Sequence, residues 1–173
     1  MGRVFISGGK GGLARAVAAR FSAAGWAVDA PSRAELDVGD CSAVEEWFAG
    51  RPAYDLAVCA AGVTKDRPFL KQTEDEWDAV MGVNARGAAW CARCAAAGML
   101  REGREGQVVM IGSYAAYRPA PSQAAYAASK SALEGLVKSL AREWGKKGIR
   151  VNLVLPGFLL TDMTAVSYTH LTL

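Results

Sequence analysis

Arg3-Val4-Phe5-Ile6-Ser7-Gly8-Gly9-Lys10-Gly11-Gly12-Leu13-Ala14 is a short apolar run that breaks into glycines and then into a helical pattern. Glycines allow a tight turn and a close approach of backbone to a pyrophosphate. The start of the following helix offers free N–H groups and a positive dipole end. A nucleotide P-loop is excluded, because no Gly-Lys is followed by Ser or Thr at the required spacing. A glycine-rich turn directly after a first strand is where doubly wound sheets hold dinucleotides.

Outward from that turn, apolar runs alternate with helical patterns. Strands are expected at Val4–Ser7, Ala27–Ala30, Leu56–Cys59, Gln107–Ile111 and Arg150–Leu155. Helices are expected at Leu13–Ala24, Ser42–Ala49, Glu74–Met99 and Gln123–Lys146. Thr73 followed by Glu76 is a capping-box signature for the third helix. This alternation predicts an α/β fold: a doubly wound parallel sheet of Rossmann type in three α/β/α layers. One domain is expected, with no repeat and no linker-like stretch before the end.

The 173 residues are 51% apolar, enough for one real core. A net charge of +3 is too small to argue for nucleic acid. No apolar run approaches a membrane span, and the first strand starts too early for a signal peptide, so a soluble cytoplasmic protein is expected. Cys91-x-x-Cys94 lacks a second cysteine pair and His170 is the only histidine, so no metal site is expected. Both cysteines fall in an Ala-rich helical stretch, where Cys acts as a small apolar residue.

Ser113 stands at the carboxyl end of the fourth expected strand, and Tyr126-Ala127-Ala128-Ser129-Lys130 follows on a helix. Residues four apart share a helix face, so the Lys130 ammonium is expected beneath the Tyr126 phenol, lowering its pKa. That would suit Tyr126 to protonate a carbonyl oxygen. A Tyr-x-x-x-Lys match arises by chance about 0.2 times in such a chain, so the pair gains weight only beside Ser113 and the first turn.

Together these motifs resemble the short-chain dehydrogenase/reductase family, and most closely its 3-oxoacyl-[acyl-carrier-protein] reductase branch. The family turn is Thr-Gly-x-x-x-Gly-x-Gly; this chain keeps Gly8 and Gly12, with Ser7 for Thr and Ala14 for the last Gly. The stretches Ala61–Asp66, Glu76–Asp78, Val83–Gly87, Ile111–Ser113, Ser139–Glu143 and Pro156–Met163 follow the reductases. The resemblance implies that Ser113, Tyr126 and Lys130 are catalytic. It makes Asn84 a fourth catalytic residue, whose carbonyl holds a water linking Lys130 to solvent. It assigns the cofactor to Ser7, Gly8, Gly9, Lys10, Gly11, Gly12 and Leu13, with Asp37 and Val38 framing the adenine. Further cofactor positions are Ala60, Ala61, Gly62, Pro156, Gly157, Leu159 and Thr161, besides Tyr126 and Lys130. Arg33 falls beside the ribose, where a guanidinium favours a 2′-phosphate, and Lys10 adds charge; NADP(H) is therefore favoured over NAD(H). The family's Asn-Asn-Ala-Gly is Cys59-Ala60-Ala61-Gly62 here, which removes two bracing amides.

The activity so implied is NADPH-dependent reduction of a 3-oxoacyl group on acyl carrier protein. The alternatives are a ketone or alcohol oxidoreductase acting on free small molecules, and a nucleotide-binding fragment without turnover. Arg104 and Lys147 match basic positions that meet the carrier protein, and the full-length form is expected to be a homodimer or homotetramer. The likeness runs from about Gly2 to Thr164. Residues 165–173 read as translated sequencing adapter, so the final strand and substrate lid of the family are expected to be missing.

Overall fold

The structure is a computed structural model that describes residues 1–159 and 161. Five parallel strands, β1 (Arg3–Ile6), β2 (Ala27–Asp29), β3 (Leu56–Cys59), β4 (Gly106–Ile111) and β5 (Ile149–Val154), form one sheet in the order β2-β1-β3-β4-β5. Helices α1 (Gly12–Ala23), α2 (Cys41–Ala49), α3 (Glu74–Met81), α4 (Ala88–Arg101) and α5 (Ala124–Gly145) make the crossovers. The strand order reverses between β1 and β3, and ligands of open α/β sheets bind at the carboxyl ends beside such a switch. The expected adapter-like tail and missing lid lie outside the described residues.

Alternation along each strand divides the core. Phe5, Ala57, Cys59, Val108, Met110 and Val151 face α2, α4 and α5, while Val4, Ile6, Leu56 and Val58 face α1. Small residues on α4 (Ala88, Cys91, Ala92, Ala95 and Ala96) let that helix lie close against β3 and β4. Phe5, Phe48 and Tyr54 meet edge-on or tilted at 4.8–5.6 Å between ring centres and fill the space under α2.

The expected boundaries differ from the observed ones by a residue or so, with one informative exception. The helix expected across Glu74–Met99 is α3, a π-helical turn at Gly82–Gly87 and then α4. The capping box at the start of α3 is present in both directions: Thr73 accepts from Glu76 N and Glu76 from Thr73 N. Gly87 permits the irregular turn to approach the chain after β2, since a Cβ there would fall 2.6 Å from the Val38 carbonyl oxygen.

Candidate active site

Ser7 and the glycines behind it join two strand ends. The Ser7 N–H donates to the Val58 carbonyl at 3.0 Å, and its Oγ accepts from the N–H groups of Ala60 and Ala61, both at 3.0 Å. The bracing expected to be lost with the Cys59-Ala60 replacement is thus partly supplied from β1. Gly8 has φ +76°, and a Cβ there would lie 2.9 Å from the Ala61 Cα. A Cβ on Gly9 would meet the Ala30 oxygen at 2.0 Å, so this position admits no side chain. Helix α1 then begins at Gly12, after an N-cap, Gly11, that has no side chain to cap it, and has no acid in its first turn. Its amino-terminal amides therefore suit an anion such as a pyrophosphate. Thr161 lies against this same turn, its Cγ2 3.0 Å from where a Cβ on Gly12 would stand.

Arg33 and Asp37, assigned separately to ribose and adenine, form one ion pair: Arg33 Nε reaches Asp37 Oδ2 at 3.1 Å, and Gly39 N donates to Oδ1 at 2.9 Å. The Arg33 side chain stays 79% exposed, open to a further anion. Lys10 is close enough to Glu35 to help hold that carboxyl below its usual range, after the backbone and side-chain hydrogen bonds from Ser32.

Strand β4 delivers Ser113, whose Oγ accepts from Ala115 N at 3.1 Å and caps a short 3-10 turn. Helix α5 supplies half-buried Tyr126 and buried Lys130. Tyr126 and Ser113 are within hydrogen-bonding reach of each other. Lys130 Nζ donates to the Ile111 carbonyl at 2.8 Å and stands 5.8 Å from the Tyr126 ring centre. The loops after β3, β4 and β5 close on the same place. Gly62 borders both Asn84 and Lys130, and Tyr114 N donates to the Pro156 carbonyl at 3.1 Å. Gly157 and the partly exposed Leu159 follow Pro156 at the end of β5.

One expectation is corrected here. The Tyr126 phenol is held above its ordinary value, chiefly by burial and further by Asp66, although the hydrogen bond with Ser113 pulls it down. The Lys130 Nζ is turned to the Ile111 carbonyl, 5.8 Å from the centre of the Tyr126 ring. Burial also pushes Lys130 down to about 8, weakening its hold on the charge that would favour phenolate.

Asn84 is buried in the π-helical turn, and its side chain is a brace. Its Oδ1 accepts from Val63 N at 2.8 Å, while Nδ2 donates to Val63 O at 2.9 Å and to Ser129 Oγ at 3.0 Å. A π-turn within a helix marks functional places often enough to be notable. Arg104 and Lys147 sit just before β4 and β5, at the amino ends of the strands and the opposite end of the sheet from Ser113. Arg104 is already paired with Asp55 and lies 3.7 Å from Glu102. Within one chain, neither basic residue shares the mouth of the site.

Sequence reasoning missed Ser129, which is fully buried, and the link between the loops that flank Tyr126. There, Arg67 N donates to Ser122 O at 3.0 Å and Gln123 Nε2 to Asp66 Oδ2 at 3.2 Å. Ser122 has φ +72°, a left-handed conformation that nothing in Pro121-Ser122-Gln123 announces. Asn84 between Gly82 and Gly87 was a usable signal, since two glycines around a buried amide favour a distorted helix.

The fold and this cluster define a doubly wound α/β domain with a dinucleotide-type turn beside a Ser, Tyr and Lys. The family described as Enoyl-(Acyl carrier protein) reductase matches residues 12–170. Human (3R)-3-hydroxyacyl-CoA dehydrogenase is 39% identical over 121 residues, covering 70% of this chain and 46% of the relative. The 3-oxoacyl-[acyl-carrier-protein] reductase FabG of Staphylococcus aureus is 38% identical over 121 residues, covering 70% and 49%. Acetoacetyl-CoA reductase of Synechocystis is 42% identical over 113 residues, covering 65% and 46%. Among solved structures, 4-hydroxyisoleucine dehydrogenase complexed with NADH superposes with a TM-score of 0.90 at 28% identity, covering 98% of this chain and 80% of that one. The chain belongs to the short-chain dehydrogenase/reductase family. It spans about half the length of the curated relatives it matches.

Proposed function

We propose that this chain is the cofactor-binding and catalytic part of an NADPH-dependent reductase that converts a 3-oxoacyl thioester to the 3-hydroxyacyl form. The observation that carries the reading is the meeting of Ser113, Tyr126 and Lys130 at the carboxyl ends of the strands, beside Gly62 and within the reach of the Ser7–Leu13 turn. The uncapped start of α1 and the side-chain-free approach at Gly8 and Gly9 fit a pyrophosphate. Arg33 and Lys10 fit a 2′-phosphate, with Asp37 and Val38 at the adenine. Ala60, Ala61, Gly62, Pro156, Gly157 and Leu159 fit the remaining cofactor contacts, Leu159 at the nicotinamide amide, while Thr161 lies against the turn at Gly12 that suits the pyrophosphate. When bound, the nicotinamide supplies hydride to the carbonyl carbon.

The residues of the chain handle the proton. Ser113 Oγ donates a hydrogen bond to the substrate carbonyl oxygen, and Tyr126 Oη gives that oxygen a proton as negative charge builds on it. A phenol held protonated by burial is suited to that donation. Lys130 is fixed through its bond to the Ile111 carbonyl and would hold the ribose hydroxyls of a bound cofactor. Asn84 braces the loop after β3 against α5. The thioester class is supported by the relatives named for 3-oxoacyl, acetoacetyl and 3-hydroxyacyl groups.

A second reading, reduction or oxidation of free small molecules, is favoured by the superposition with 4-hydroxyisoleucine dehydrogenase over nearly the whole chain. Loss of absorbance at 340 nm decides between them. The first reading expects turnover of NADPH with acetoacetyl-CoA or a 3-oxoacyl carrier protein and little with simple ketones. Turnover with ketones alone would install the second, and cofactor binding without consumption would reject both.

A further inference from the structure

Four hydrogen bonds tie three chain segments together just behind the site. Asn84 pairs with both backbone groups of Val63, in the loop after β3. Its remaining amide hydrogen goes to Ser129 Oγ at 3.0 Å, and Ser129 Oγ donates to the Tyr126 carbonyl at 2.7 Å. Ser129 is 0% exposed and Asn84 1%, so water cannot take the place of either partner. Among the described residues, Ser129 is the one side chain hydrogen-bonded both to the amide that braces the loop and to the backbone of the residue that carries the phenol. It also precedes Lys130, whose Nζ borders Gly62 in the loop that Asn84 holds.

We propose that Ser129 is a positioning residue that fixes Asn84 and the Tyr126 turn relative to one another. Its hydroxyl does both jobs at once, accepting on one side and donating on the other. A methyl in its place leaves an Asn84 amide hydrogen buried without an acceptor, the situation native interiors avoid. The meaning of the device for turnover rests on Tyr126 as proton donor; its existence does not.

The test therefore reads the network directly in the whole chain, by NMR. Ser129→Ala is expected to speed hydrogen exchange of the Asn84 side-chain amide at least about tenfold, because its local protection is lost. The Tyr126 13Cζ titration midpoint is expected to fall toward the ordinary phenol value as water enters the loosened turn. Tyr126→Phe assigns that resonance. The groups facing the phenol are Asp66 from the loop after β3, the Ser113 hydroxyl and Lys130, and none of these is altered by the substitution. Ser129→Cys fills the same space with a weaker donor and acceptor, and is expected to give intermediate exchange in a fold close to the parent's. Wild-type exchange at Asn84 in Ser129→Cys and Ser129→Ala overturns the proposal, as does an unmoved Tyr126 midpoint. An intact network in a chain that never transfers hydride counts against the reductase reading instead.

Discussion

At the scale of single residues, the site sets a phenol raised by burial beside an amine lowered by burial. Tyr126→Phe removes the proton that the proposed reduction draws on and little else. It is expected to lower kcat by about 10²–10⁴-fold, the usual worth of a positioned acid, while NADPH fluorescence still reports binding. Lys130 makes a separate prediction about stability. Its folded pKa of about 8 lies below the 10.5 of the unfolded side chain, so between those values the unfolded chain binds more protons. Stability from this group therefore rises as pH increases from about 8 toward 10.5. Below pH 8 both states are protonated and the buried charge costs on the order of 3 kcal/mol. Lys130→Met, which keeps the length without the charge, is expected to melt higher at pH 7 and to flatten the rise. Melting curves between pH 7 and 9.5 check this, below the range where the raised phenols of Tyr54 and Tyr126 act in the opposite sense. A Lys130→Met variant whose melting point falls at pH 7 would show that the bond to the Ile111 carbonyl outweighs desolvation.

At the scale of elements, local chemistry explains what could be read beforehand. The start of α3 depends on a reciprocal Thr73–Glu76 pair, and Thr73→Ala is expected to cost about 1 kcal/mol. In a domain of this size that is a fall of about 2–4 °C in Tm, measurable by calorimetry. The five strands and four helical stretches were legible because each is an apolar run or period bounded by its own turn or cap. The π-helical turn was harder to read, because a helix period continues through Gly82–Gly87; the two glycines around Asn84 are a hint of distortion, and the packing of Gly87 against Val38 shows it. Likewise, Ser113, Tyr126 and Lys130 were legible as a pattern. The direction of the phenol's shift was not, since it depends chiefly on how deeply the folded chain buries the ring. The role of Ser7 was hidden for a similar reason: its two acceptor bonds cross from one strand end to another, 53 and 54 residues away in sequence. Ser7→Ala is expected to leave the Ala60 and Ala61 amides short of a partner. It should cost about 1–3 kcal/mol and weaken NADPH binding, whereas Ser7→Thr should do neither. Denaturant melts and fluorescence titration separate the two effects.

At the scale of the whole molecule, the parallel sheet gives the protein two unlike ends. Glycines, Ser113, Tyr126 and Lys130 gather at the carboxyl ends of the strands. The amino ends carry a braced ionic layer: Arg3 N donates to Asp55 at 2.7 Å, Arg104 pairs with Asp55, and the Arg3 side chain reaches across to Asp29, the last residue of β2, at 2.7 Å. Tyr54 Oη adds a bond to Asp29 at 2.8 Å, and Glu102 accepts from Ala53 N at 2.7 Å. Arg104 therefore has a structural job that its likeness to carrier-protein contacts does not reveal. Because it is partly exposed, Arg104→Ala is expected to cost no more than about 1 kcal/mol. Arg104→Glu sets a third carboxylate beside Asp55 and Glu102 and is expected to melt lower than Arg104→Ala. Both variants should keep kcat/KM for acetoacetyl-CoA within about twofold, since the altered charge is separated from the site by the length of the sheet and screened by salt. Steady-state assays beside melting curves provide the check. If kcat/KM for the free thioester fell sharply in a variant that melted normally, the two ends would have to be coupled, by a second subunit that brings its amino end to this site.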